Sequence, residues 1–177
     1  MDVITFSQQT KQEADKLLQY GNVLAVLSQF GTVVLSGSYQ YNLMYDPDID
    51  LTVLSNNPEE SSYQALLEFI KQRKFQKYEF GDFSTFPHQN RPKEIILVLV
   101  HEYNGRRWEI EIWFKKRLSE IDINFEKLIS KVTKAQKAKI LELKHQRSTQ
   151  NISKQTLSSA RIYKQVLLGK ETELPDL

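Results

Sequence analysis

The sequence predicts an α/β domain of the α+β kind, a short mixed or antiparallel sheet with flanking helices and two further helices at the end of the chain. Three observations carry this. Apolar runs of strand length occur at Thr32–Leu35, Ile49–Leu54 and either side of Asn104-Gly105, the last pair in hairpin relation. Stretches with apolar residues three and four apart precede, separate and follow them. No internal repeat or low-complexity segment breaks this order.

Taken along the chain, Lys11–Leu27 has Ala14, Leu17, Leu18, Leu24 and Leu27 at helical spacing, with a bend expected at Gly21-Asn22. Thr32-Val33-Val34-Leu35 reads as a buried strand entering a tight turn at Ser36-Gly37-Ser38. Ile49, Leu51 and Val53 alternate with Asp50, Thr52 and Leu54, so Asp48 and Asp50 share one face of a second strand. Asn57-Pro58 followed by Glu59 and Glu60 starts a helix whose apolar stripe is Tyr63, Leu66, Leu67 and Ile70, running to about Arg73. Phe75–Phe83 alternates loosely, and Ser84–Lys93 reads as an exposed, mobile connection. Glu94–Tyr103 and Arg107–Phe114 form the hairpin. From Asp122 two helices follow, separated by a polar break at Gln146–Asn151, and the tail after Gly169, with Pro175, is expected to be loosely held. The expected division is a core over 1–121 and a helical segment over 122–177 packed on it as one unit.

At 177 residues, 40% hydrophobic and 26% charged, the chain has the size and balance of one soluble domain. It has no cysteine, which excludes disulfides, zinc-thiolate sites and a cysteine nucleophile. Metal chemistry must use oxygen ligands or the three histidines, which favours a hard ion such as magnesium. The start of the chain lacks a secretory pattern, and the longest apolar stretch, Ile95–Val100, is too short to span a bilayer, so a cytoplasmic address and no membrane partner are expected. The net charge of +2 is too even to predict nucleic-acid binding from the global field. Its distribution is less even: Glu126–Arg147 is lysine-rich, whereas Asp46, Asp48 and Asp50 crowd together. Clustered like charges cost free energy unless something neutralises them.

The acidic cluster is the informative feature when read with the turn before it. Glycine at 37 permits positive φ and lets the backbone approach phosphate oxygens, while the Ser38 hydroxyl and nearby N–H groups can donate to a triphosphate. Two carboxylates one residue apart on a strand project in parallel and can share a divalent ion. Magnesium uses few carboxylates plus substrate phosphates and waters, and a two-ion arrangement stabilises both oxygens of an in-line displacement. The strand Trp108-Glu109-Ile110-Glu111-Ile112-Trp113 offers two more carboxylates on one face.

Leu35-Ser36-Gly37-Ser38, nine further residues, then Asp48-Ile49-Asp50-Leu51 resembles the signature of the nucleotidyltransferase superfamily with its DNA polymerase beta-like fold, and in particular its small single-domain members. The resemblance covers about Val33–Leu54 and the strand near Trp113. It implies metal ligation and catalysis by Asp48, Asp50 and a later strand carboxylate, assigned to Glu111 because related small proteins carry an aspartate there. It implies nucleotide binding at Gly37 and Ser38, a two-ion Mg2+ cofactor, and transfer of a nucleoside monophosphate from a triphosphate such as ATP to a hydroxyl acceptor with release of pyrophosphate. The acceptor is left open between a small molecule, a protein side chain and an RNA end, and a homodimer or partner protein could complete the site. Two features depart from the usual pattern: glutamate at 111 is one methylene longer than aspartate, and Tyr39-Gln40-Tyr41-Asn42 lacks the arginine or glycine often found after the Gly-Ser pair. Asn42 could take a left-handed turn.

Other readings stand beside this one. A weakly active or inactive member could serve as a nucleotide- or partner-binding module, antitoxin-like, and the lysine-rich helix could bind RNA with strong salt dependence. Glu109 reads as an exposed strand position, and His88, His101 and His145 as solvated or hydrogen-bonded residues without metal spacing. Trp108 and Trp113 fall on opposite strand faces, one in the core and the other able to line a pocket. The C-terminal lysines read mostly as a solvated face, Lys144 being one that could reach a triphosphate, and Tyr163 reads as core packing.

Overall fold

In the computed structural model, which describes residues 2–87 and 94–169, five strands form one sheet in the order β1-β2-β5-β4-β3. The strands are β1 (Thr32–Ser36), β2 (Asp48–Leu54), β3 (Lys77–Asp82), β4 (Ile95–Tyr103) and β5 (Arg106–Lys115). Every neighbouring pair is antiparallel except β2 and β5, which run parallel. The sheet is therefore mixed. The β4–β5 turn has Asn104 and Gly105 both at positive φ, as a two-residue hairpin requires.

Alternation along β2, β4 and β5 sets the two faces. Ile49, Leu51 and Val53, with Leu97, Leu99, Trp108, Ile110, Ile112 and Phe114, are buried against the helices α1 (Val3–Tyr20), α2 (Val23–Leu27) and α4 (Pro58–Gln72). Each large side chain removed from water in this way contributes roughly 1.5–3 kcal/mol. The expected bend at Gly21-Asn22 separates α1 from α2, with Asn22 at φ 50°. The alternate residues Asp48, Asp50, Glu109, Glu111 and Trp113 fall on the opposite face.

Two expectations are corrected. The stripe assigned to α4 points largely outward: Tyr63, Leu67 and Ile70 are exposed, whereas Ser61, Ser62, Ala65 and Phe69 are buried. Small residues let this helix sit close to the sheet, with Phe69 as its anchor. Among the described residues the C-terminal part holds three helices rather than two, α5 (Glu120–Ile129), α6 (Lys134–Thr149) and α7 (Ser159–Leu168). Thr133 and Gln136 form a capping box that restarts the chain as α6, and a second box joins Ser119 and Asp122 at α5. The polar break accordingly lies later, at 150–158. Ile129, Ile140, Leu141, Leu157, Ile162 and Tyr163 form a second core with Leu43 of the β1–β2 connection. The expected exposed connection is described only as far as Pro87; its remainder, with His88, and the tail with Pro175 lie outside the described residues.

Candidate active site

Strand β1 ends on Ser36 in extended conformation, and Gly37 at φ +63° turns the chain into the four-residue helix α3 (Gly37–Gln40). A Cβ at 37 would collide with the Asp50 carboxylate, so the bare glycine is what lets that carboxylate lie against the turn. Ser36 Oγ donates to the Asp50 carbonyl at 3.1 Å, tying the two strands together here. Behind the turn, Tyr39 donates to Asp15 Oδ1 at 2.7 Å, and Lys11 meets the same oxygen at 2.6 Å. Asn42 takes the left-handed conformation at φ 55°.

Ser38 is only 6% exposed, and its hydroxyl is engaged beneath the turn. Lys144 Nζ donates to Ser38 Oγ at 2.8 Å, to the Leu43 carbonyl at 2.8 Å and to Tyr163 Oη at 2.9 Å, while the Ser38 and Tyr163 hydroxyls lie 3.0 Å apart. The expected solvated face of the lysine-rich helix thus fails at Lys144, which is completely buried. Its three oxygen partners satisfy the three ammonium donors. Tyr163 is buried as expected and carries a polar role as well.

The three expected carboxylates come to one face. Asp50 stands opposite Glu111 across the parallel β2–β5 pair, and Asp48 precedes Asp50 by one pleat repeat, opposite Glu109. The Asp50 carboxyl is pushed up from its ordinary 3.8 to about 7, first by burial and then by the charges of Asp48 and Glu111, with Lys144 and Lys154 pulling it partly back. Glu109 is bridged by Arg107 at 3.0 Å and stays partly exposed, in line with its reading as a surface strand position. Among the described residues no group of three or more histidine, aspartate or glutamate side chains is placed so that it could hold a metal ion as it stands.

Cations face the acidic cluster from α6 and from the connection that follows it. Arg147, 2% exposed, is ion-paired with Asp46 and donates to the Leu157 carbonyl at 3.0 Å. Lys154 Nζ lies 2.6 Å from Asp48 Oδ2 and 3.9 Å from Asp46 Oδ2. Partial burial acts to lower the pKa of Lys154, but Asp48 and then Asp46 outweigh it and the net direction is up. Sequence reasoning missed both residues. Arg147 lies in the last turn of a helix that reads as lysine-rich, and Lys154 stands in a polar connection without spacing that ties it to Asp48.

Beside Asp50 and Gly37 opens a cleft of about 350 Å3 between the sheet and the start of α5. Trp113, Tyr41 and Phe125 give it aromatic walls, and Trp108 is buried in the core, so the two tryptophans divide as expected. Lys115 on the cleft wall is held between Glu94 and Asp122, each at 3.1 Å. His101 packs against Tyr20 and Phe75, and His145 Nδ1 meets Tyr45 Oη at 2.7 Å, so neither stands in the cluster.

No family model matches the chain, and no curated protein matches it. Solved structures do. Poly(U) polymerase Cid1, with Mg 3'-dATP bound, aligns over 90% of this chain and 48% of its own at TM-score 0.61 and 20% identity. A cytoplasmic RNA terminal U-transferase aligns over 90% of this chain and 46% of its own at TM-score 0.59 and 21% identity. The polymerase core of TRAMP, an RNA surveillance complex, aligns over 85% of this chain and 46% of its own at TM-score 0.57 and 16% identity. The chain spans about half the length of each. At such identities the likeness concerns architecture, and with the mixed five-stranded sheet it gives the chain the nucleotidyltransferase fold.

Proposed function

We propose that the protein is a magnesium-dependent nucleotidyltransferase that passes a nucleoside monophosphate from a triphosphate to a hydroxyl acceptor. The observation that carries this reading is the register that sets Asp50 beside Glu111, with Asp48 one pleat away and a glycine turn against the same carboxylate. Asp48 and Asp50 alone would give the ion the carboxylates it needs. Magnesium takes one or two carboxylates and completes its shell with phosphates and water, so an open set on one face suits it better than a closed cage. When bound to Asp48, Asp50 and Glu111, magnesium would neutralise charge on the attacking and leaving oxygens.

The chain's own residues supply the rest. Gly37 lets the turn's backbone N–H groups approach the phosphates without a side chain between them, and Ser38, held by Lys144 and Tyr163, fixes the turn's conformation. Lys144 lends positive charge from below. The acceptor oxygen bonds to the α-phosphorus as the bond to the bridging oxygen breaks. Pyrophosphate departs with that electron pair, and the acceptor proton passes to a Glu111 carboxylate oxygen. Trp113 and Tyr41 on the cleft wall offer aromatic faces for a base or an acceptor.

Calorimetric titration with the four common triphosphates, with and without Mg2+, tests the reading. Magnesium-dependent binding that disappears in Asp48→Ala/Asp50→Ala, followed by pyrophosphate release when an acceptor is added, is the expected outcome. Because the similar structures include a poly(U) polymerase and an RNA terminal U-transferase, RNA oligonucleotides form the first acceptor arm, small hydroxyl compounds the second, and proteins of a cell extract with labelled triphosphate the third. Triphosphate binding equal with and without Mg2+ and unaffected by the double substitution would refute it.

A further inference from the structure

Two cations face the same acidic group, and they are built differently. Arg147 is 2% exposed, bonded to Asp46 and to a backbone carbonyl, and has nowhere to go. Lys154 keeps 51% of its side chain exposed, sits on the connection between α6 and α7, and makes one hydrogen bond among the described residues, to Asp48 Oδ2 at 2.6 Å. Asp46 is already satisfied by Arg147, so the charge that Lys154 balances is that of Asp48. A half-exposed ammonium on a flexible four-carbon stem can leave at little cost, because such pairs contribute little to stability. One cation is thus a fixed part of the fold and the other an exchangeable one.

We propose that Lys154 is a tethered counter-ion that a divalent cation must displace from Asp48, so that metal entry frees an ammonium at the mouth of the site while Leu157 and Arg147 keep the connection itself in place. The proposal rests on the nucleotidyltransferase reading. Until metal arrives, Lys154 offsets part of the repulsion among Asp48, Asp50 and Glu111. Once displaced, it becomes a mobile positive charge beside the place where polyphosphate binds. The same exchange makes metal uptake competitive with an internal ion.

The test uses Mn2+ as a spectroscopic stand-in, titrated without nucleotide and followed by the electron paramagnetic resonance of the free ion. Lys154→Met should bind Mn2+ about two- to fivefold more tightly than the unsubstituted protein and should melt about 1–3 °C lower without metal. Lys154→Arg, which keeps the charge, should behave like the unsubstituted protein. Lys139→Met, removing an exposed α6 lysine paired with Glu142, controls for a general change in charge and should leave Mn2+ affinity unchanged. Equal or weaker Mn2+ binding by Lys154→Met, or an equal gain in Lys139→Met, would overturn the counter-ion role while leaving the transferase reading in place. If no variant and no unsubstituted protein takes up Mn2+ even with a triphosphate present, both fall together.

Discussion

Replacing Asp50 by asparagine should make the metal-free protein more stable above neutral pH and leave it almost unchanged near pH 4. The reason is the position of the carboxyl, enclosed at the floor of the cleft with Asp48 and Glu111 as neighbours, which pushes it from 3.8 up to about 7. Below pH 3.8 both folded and unfolded chains hold the proton. Between about 4 and 7 the unfolded chain has released it and the folded protein has not, so stability falls as pH rises, and above 7 the whole contribution is gone. An interval of roughly three pH units at 1.36 kcal/mol each sets an upper bound of about 4 kcal/mol. Water entering the open cleft reduces this, so a gain of roughly 2–4 kcal/mol at pH 8 is expected, about 5–15 °C in Tm for a domain of this size. Urea unfolding of both proteins from pH 4 to 8 in the presence of a chelator measures it. Added Mg2+ should narrow the gap at pH 8 by stabilising only the aspartate form. Stability curves that stay parallel from pH 4 to 8 would refute the electrostatic account of the site.

Two substitutions probe its scaffold. Gly37→Ala forces a side chain into a left-handed position and against Asp50, and should cost about 1–2 kcal/mol together with most triphosphate affinity. Gly105→Ala at the hairpin, also at positive φ but with open space around it, should show the stability loss alone, as thermal melts and nucleotide titrations would reveal. Arg147→Met strips the buried partner from Asp46 and should cost about 3 kcal/mol in denaturant unfolding, with part of the loss recovered when Asp46→Asn is added in a double-mutant cycle.

The turn at Gly37, the parallel projection of Asp48 and Asp50, and the Asn104-Gly105 hairpin were legible because each depends on neighbours in sequence. Glu111 could be singled out from Glu109 only through the superfamily resemblance, since both lie on one face and alternation treats them alike. What was not legible depends on distant contacts. The outward stripe of α4 misled because helical spacing records which residues share a face and not which face meets the sheet; Phe69 and the small Ser62 and Ala65 decide that. Thr133 and Gln136 carried a capping signal that divides α5 from α6, yet the apolar spacing across them masked it. Lys144 looked like its solvated neighbours because burial of a lysine follows from the three oxygens waiting for it, contributed by Ser38, Leu43 and Tyr163 far along the chain.

The parallel pairing of β2 with β5 acts as a vernier for the carboxylates. A slip of one residue would bring Ile110 or Ile112 opposite Asp50 and turn Glu111 toward the hydrophobic helices, so misalignment would bury a charge and expose an isoleucine at once. The alignment is fastened at both ends, by the Glu109 amide on the Pro47 carbonyl and the Ser55 amide on the Lys115 carbonyl, each at 3.0 Å. A chain that folds with its oily face inward therefore has its acids correctly matched by the same act, and spacing errors in the reactive cluster are penalised by the core before chemistry is ever attempted.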